Sequence, residues 1–157
     1  MSALVFVDTP VLLRTVDARD IALQARAREW VRWCWQQRTG RISTQVLNEL
    51  YQNAVTCFGP PAPLQQARAL VRQLRQWQPP HLDTYTIDGA WSLQDRYALG
   101  YWDALAVSSA QQQGCRYLLS DELPNAQRFD TVQVLNPFLI APAELPTDAL
   151  LMTDDES

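Results

Sequence analysis

Lysine is absent from this chain: its 13 basic residues are all arginine, set against 17 acidic residues for a net charge of -4. That balance disfavours a nucleic-acid binder working through a broad positive field. It leaves room for a protein that holds a cation and meets phosphate through it. Histidine occurs once, as His81. A zinc site built on two imidazoles is excluded, and a Ser-His-Asp triad would have to use His81 in a chain with no Gly-x-Ser-x-Gly turn. The three cysteines, Cys34, Cys57 and Cys115, are odd in number and form no Cys-x-x-Cys pair. They read as free thiols, not as a disulfide framework or a cysteine zinc site. Only five glycines are present, in no GxGxxG or GxxxxGK[ST] arrangement, which argues against a dinucleotide or P-loop site. No apolar run reaches the roughly 18 residues that a membrane span needs. The opening Met1–Val7 lacks a basic flank and meets Asp8 too soon for a secretion signal. A cytoplasmic protein with no membrane partner is expected.

What is present suits one packed domain: 157 residues, 47% hydrophobic and 19% charged. Ala3–Val7 is a short apolar run of the kind shown by a strand covered on both faces. Asp8-Thr9-Pro10 follows it, with Thr9 able to cap and Pro10 able to open a helix through Leu13. Apolar residues recur at helical spacing from Asp20 to Arg38, and Gly40 is expected to stop that helix. Ile42-Ser43 reads as a minimal strand, Thr44–Cys57 as an amphipathic helix, and Gly59–Pro63 as a break. Leu64–Trp77 is a further helix. Leu82, Tyr85 and Ile87 read as carrying a strand, with Asp88 placed to cap a helix toward Leu99. Trp102–Gln113 is predicted helical, Arg116–Leu119 and Val132–Leu135 extended. The domain is expected to span 1–140, with 141–157 a mobile acidic tail. Strands alternating with helices in this way predict an α/β fold with a mostly parallel sheet covered on both faces.

Ligands of such sheets collect beyond the carboxyl ends of the strands. Asp8 follows the first strand, Glu49 lies early in the helix after the second, Asp103 opens the helix before the fourth, and Asp121 with Glu122 follows the fourth. Each acid taken alone also fits a plain role: strand end, solvated glutamate, helix cap or turn residue. Gathered at one edge they would resist ionisation unless a cation sat among them. A site of carboxylate oxygens alone suits Mg²⁺ or Mn²⁺.

The words around these acids are Val5-Phe-Val-Asp-Thr-Pro-Val-Leu-Leu13, Ile42-Ser-Thr-Gln-Val-Leu-Asn-Glu-Leu50, Tyr101-Trp-Asp-Ala-Leu105 and Tyr117-Leu-Leu-Ser-Asp-Glu-Leu123. In this order they resemble the four motifs of the PIN-domain family, in particular VapC-type toxins of bacterial toxin–antitoxin pairs. The resemblance runs from about residue 3 to residue 138. It implies a three-layer α/β/α fold and a Mg²⁺- or Mn²⁺-dependent endoribonuclease, a hydrolase, usually a homodimer restrained by a cognate antitoxin. By that likeness Asp8, Glu49, Asp103 and Asp121 are the catalytic acids, with Asp8, Asp103 and Asp121 or Glu122 on the metal. Thr9 and Ser120 would support them. Pro10 stands where the family usually has Asn, and the Asp121-Glu122 pair looks exchanged; Asp121 is preferred because the shorter arm suits a place directly beyond the strand. Those departures favour a competing reading, a non-catalytic binding or regulatory module with a PIN-like fold. A phosphatase would want a DxD nucleophile, which Asp8-Thr-Pro lacks. Trp33 and Trp35 fall off the apolar stripe of their helix and are the expected contacts for a protein partner.

Overall fold

In the computed structural model of the chain, Val5–Val7 (β1), Gly40–Arg41 (β2), Tyr117–Leu119 (β3), Arg128–Phe129 (β4) and Val132–Leu135 (β5) form one sheet in the order β2-β1-β3-β5-β4. The residues described are 2–58 and 62–145. All pairings are parallel except that of β4 with β5. Every residue of β1 and β3 is buried, as expected for strands with helices on both faces. The α/β sandwich anticipated from the alternation of elements is therefore the observed one. From β1 the chain leaves to β2 on one side and returns through β3 on the other. The crevice between the ends of β1 and β3 is thus the switch point of the sheet.

Among the described residues six helices surround it: α1 (Thr9–Arg14), α2 (Ile21–Gln37), α3 (Thr44–Phe58), α4 (Ala62–Leu74), α5 (Thr84–Arg96) and α6 (Tyr101–Gln112). The run Ala104–Ala110, apolar but for Ser108 and Ser109, is buried throughout and packs α6 on β3 and β5. Asp20 caps α2 by accepting from the Leu23 N–H. Its end is set by Arg38, in the left-handed region at φ 57°, and not by Gly40. Gly40 serves packing instead: the Trp77 indole lies where its Cβ would stand. The second strand falls on Gly40–Arg41, two residues before the expected Ile42-Ser43.

The larger departure lies at residues 82–87, where Leu82, Tyr85 and Ile87 suggested a strand. Asp83 instead caps α5, its carboxylate accepting from the Thr86 N–H and hydroxyl, both at 2.8 Å. The buried positions Thr86, Ala90 and Leu93 then follow at helical spacing, and Tyr85 faces solvent. Asp88, expected to cap, lies within the helix. The edge strand β4 was not legible either; it pairs with β5 across a turn that places Asp130 at φ 55°.

The expected tail begins in ordered structure. Pro142–Glu144 form a 3-10 turn in which the Ala141 N–H donates to Glu144 Oε2 at 2.8 Å. The Trp30 indole N–H donates to the carbonyls of Pro137 (3.0 Å) and Ile140 (2.9 Å), fastening this segment to α2. Pro142 is buried and Leu145 packs against the core, so packing continues past residue 140; residues 146–157 of the expected tail lie outside the described residues. Among the described residues no helix is long and apolar enough to cross a membrane.

Candidate active site

Asp8 leaves β1 directly into α1 and is its N-cap: Oδ1 accepts from the Thr9 N–H at 2.9 Å. It, and not Thr9, is the capping residue. The backbone N–H of Asp8 donates to the Leu119 carbonyl at 3.1 Å, holding it against the end of β3. The Thr9 hydroxyl is left free to reach across and donate to Glu49 Oε2 at 2.9 Å. Glu49 Oε1 accepts from the Gln45 amide, one helical turn earlier on α3, at 2.8 Å. Both oxygens of Glu49 are thus engaged, and the side chain is fixed beside Asp8.

Asp103 sits in the first turn of α6, which starts at Gly100 without a side-chain cap. Ser120 follows β3, fully buried, and its hydroxyl accepts from the N–H groups of Glu122 (3.2 Å) and Leu123 (3.3 Å). This local turn ends the strand alternation. Of the two adjacent acids, Glu122 is the one brought to the others: carboxylate oxygens of Asp8, Asp103 and Glu122 lie within 4.8 Å of one another. Asp121 stands outside that group; it and Glu122 are both exposed, while Asp8 is buried. The preference for Asp121 rested on its shorter arm directly beyond the strand; past the Ser120 turn it is the longer Glu122 side chain that reaches the group. Glu49 also lies outside the trio, linked to it through Thr9.

The electrostatics follow from this crowding. Burial, the largest cause, pushes the Asp8 carboxyl up from 3.8 to about 7. The Thr9 N–H opposes the rise, and the charges of Asp103, Glu122 and Glu49 add to it. Asp103 is raised by burial and by Glu49; Glu122 by burial and by Asp103, Asp121 and Glu49. Three carboxylates that hinder each other's ionisation, with no nitrogen or sulfur donor among them, form a donor set fitted to a hard divalent cation.

Beside the acids a depression is lined by Asn48, Glu49, His81, Leu82 and Trp102. Trp102, next to Asp103, is 62% exposed. His81 arrives here because the Thr44 N–H donates to the Pro80 carbonyl at 3.2 Å, a tertiary contact with no local signal in the sequence. Gln45 and Trp102 carried a usable signal that sequence reasoning passed over: one is four residues before Glu49, the other adjacent to Asp103.

The two tryptophans on α2 are less available than expected. Trp33 is half-buried, edge-on to Trp30 with ring centroids 5.8 Å apart. Its position off the stripe is filled by that aromatic pair. Trp35 is partly exposed but packs on Trp77 at 5.4 Å. Since Trp77 covers Gly40, which pairs with the first residue of β1, Trp35 lies toward the sheet edge opposite the acids.

Among solved structures the chain is similar to VapC20 of Mycobacterium tuberculosis, described as a sarcin-ricin loop cleaving toxin, with a TM-score of 0.54 and 19% identity. The likeness covers 73% of this chain and 86% of that one. It shows the fold, the PIN-like arrangement that the four sequence words implied. No family model matches the chain, and no curated protein matches it.

Proposed function

We propose that this chain is a Mg²⁺- or Mn²⁺-dependent endoribonuclease, a hydrolase of RNA phosphodiester bonds, acting as the toxin of a toxin–antitoxin pair. One observation carries the reading. Asp8, Asp103 and Glu122, more than a hundred residues apart at the extremes, bring their carboxylates within 4.8 Å of one another at the switch point of a VapC-like sheet. A structural role for the trio is a poor alternative, because mutual repulsion and burial make it costly without a counter-charge.

In this reading Asp8, Asp103 and Glu122 hold the ion. Bound there, a divalent cation would lower the pKa of an attacking water and offset charge on the phosphate. Asp8 is positioned by its own capping bond and by β3, so its oxygens need no rearrangement. Thr9 and Gln45 fix Glu49, whose carboxylate can orient the water or take up its proton. Ser120 shapes the turn that delivers Glu122. Asp121, outside the trio, adds negative potential only. The chain has no lysine and a single histidine, so proton transfer falls to carboxylates and solvent.

The cognate antitoxin would restrain activity most directly by placing an arginine fork on these carboxylates; Trp33 and Trp35 would serve only its more distant contacts. A homodimer in the cytoplasm belongs to the same reading. The test is to incubate the purified chain with mixed RNA in Mn²⁺, Mg²⁺ or chelator. Cleavage in either metal and none in chelator is expected. RNA left intact in both metals would favour the non-catalytic module, for which Pro10 at the start of α1 is the one structural argument: it supplies no side-chain donor or acceptor where the family usually has an amide.

A further inference from the structure

Charge along this chain is segregated. Between Leu50 and Leu82 there are three arginines, Arg68, Arg72 and Arg75, and no acidic residue, while the other 10 arginines share the chain with all 17 acids. The spacing of 68, 72 and 75 puts these side chains on one stripe of α4 and the turn that follows. All three are exposed. None forms an ion pair among the described residues, a property shared with Arg28, Arg32, Arg38, Arg41, Arg116 and Arg128. Arg68 is instead arranged over Tyr51, its guanidinium 5.9 Å from the ring centroid and donating to the hydroxyl at 3.3 Å.

The stripe lines a groove between α3 and α4, whose α3 wall includes Thr44, Asn48 and Tyr51. Thr44 and Asn48 also line the depression that holds Glu49, His81 and Trp102. The arginine groove and the acid-side depression therefore share one wall. A flexible polyanion crossing Asn48 would place negative groups on the arginines and a further segment at the acids. We propose that Arg68, Arg72 and Arg75 form a phosphate track for single-stranded RNA leading to the Asp8–Asp103–Glu122 group. This rests on the ribonuclease reading and gives that site its substrate-holding surface. Guanidinium groups suit phosphate oxygens through paired N–H donors, and these three share a groove wall with the acid side.

The experiment measures binding of a fluorescent single-stranded RNA to the full chain by anisotropy, in chelator, across a salt series. Three phosphate contacts contribute about 2 to the slope of log K against log salt. The Arg68→Gln/Arg72→Gln/Arg75→Gln variant is expected to bind at least about tenfold more weakly at low salt, with the slope reduced by about 2. Arg72→Gln alone, a single exposed change, should reduce it by about 0.7. A variant with the same charge change elsewhere, Arg32→Gln/Arg116→Gln/Arg128→Gln, should keep the parental slope. An unchanged slope in the α4 variant, or an equal loss in the control, would overturn the track. Equal competition by polyglutamate would overturn it in favour of an acidic protein partner. Cleavage of the same RNA by the parental chain in Mn²⁺ is followed separately: its absence sinks the nuclease reading, whereas cleavage with an unaltered α4 slope sinks only the track.

Discussion

Asp8→Asn should make the metal-free protein more stable while abolishing its activity. The Asp8 carboxyl is 6% exposed and its pKa rises from 3.8 to about 7, first through burial. An acid whose folded pKa is raised costs stability progressively as pH climbs from the unfolded value to the folded one, and the cost is complete above it. A rise of about 3 units corresponds to about 4 kcal/mol at pH 7.5, of which about 2 kcal/mol is already present at pH 5.5. The substituted side-chain amide would keep an oxygen for the Thr9 N–H, so the cap survives. Relaxation of an unloaded site brings the expected gain to about 2–4 kcal/mol, or roughly 5–15 °C in Tm for a domain of this size. The assay is thermal melting in chelator at several pH values between 5 and 8. The parental chain should lose stability as pH rises through this window, and Asp8→Asn should lose less. Adding Mn²⁺ should narrow or invert the order, because only the parental site gains from binding, by about 2.7 kcal/mol at a hundredfold excess over Kd. Should Asp8→Asn melt at or below the parental temperature at pH 7.5 in chelator, the uncompensated carboxylate would not be the dominant feature of this site.

Glu122→Gln should reduce metal-dependent cleavage by about 100-fold or more, and Asp121→Asn by less than about twofold; initial rates on a labelled RNA decide, and the reverse pattern would remove the Ser120 turn from the explanation. Trp102→Ala should leave the melting temperature nearly unchanged but weaken RNA binding by roughly tenfold, the scale of one lost base-stacking platform, as read by anisotropy. Asp17, buried before α2, accepts from the Arg19 N–H, Nε and Nη2 at 2.9–3.0 Å, and this partner lowers its pKa to about 2. Its stabilising effect is present above about pH 4 and fades as pH falls through about 2; Asp17→Asn should lower Tm by roughly 2–4 °C at neutral pH and leave little difference near pH 2.

Much of this architecture could be read from the chain because its signals are local. The apolar run Val5–Val7, the stripe of α3 and the apolar block of α6 each announce their element by period and burial. The acids lie at strand ends and helix starts, where an α/β topology brings them together. Failures arose where one pattern served two structures. Leu82, Tyr85 and Ile87 are residue types that suit a strand, yet Asp83 with Thr86 three residues on is a helix start, and the cap outweighed that preference. The two-residue strands β2 and β4 are too short to carry a period, and their pairing depends on neighbours distant in sequence. The choice between Asp121 and Glu122 turned on a side-chain bond from Ser120 to the backbone, which composition does not display. His81 reached the site through a single backbone bond between Thr44 and Pro80, equally silent in the sequence. The α4 arginines were countable, but their shared groove with the acid side needed the packing of α3 on α4.

The most direct test of the central claim is the rate of RNA cleavage in Mn²⁺ by Asp103→Asn relative to the parental chain, both confirmed folded by melting. Asp103 caps nothing, and its side chain makes no hydrogen bond among the described residues, so its removal isolates the carboxylate itself. A fall of about 100-fold or more, with chelator reducing the parental chain to the same level, is the expected result. Parental-rate cleavage by Asp103→Asn, or cleavage that persists in chelator, would contradict a metal site built from Asp8, Asp103 and Glu122.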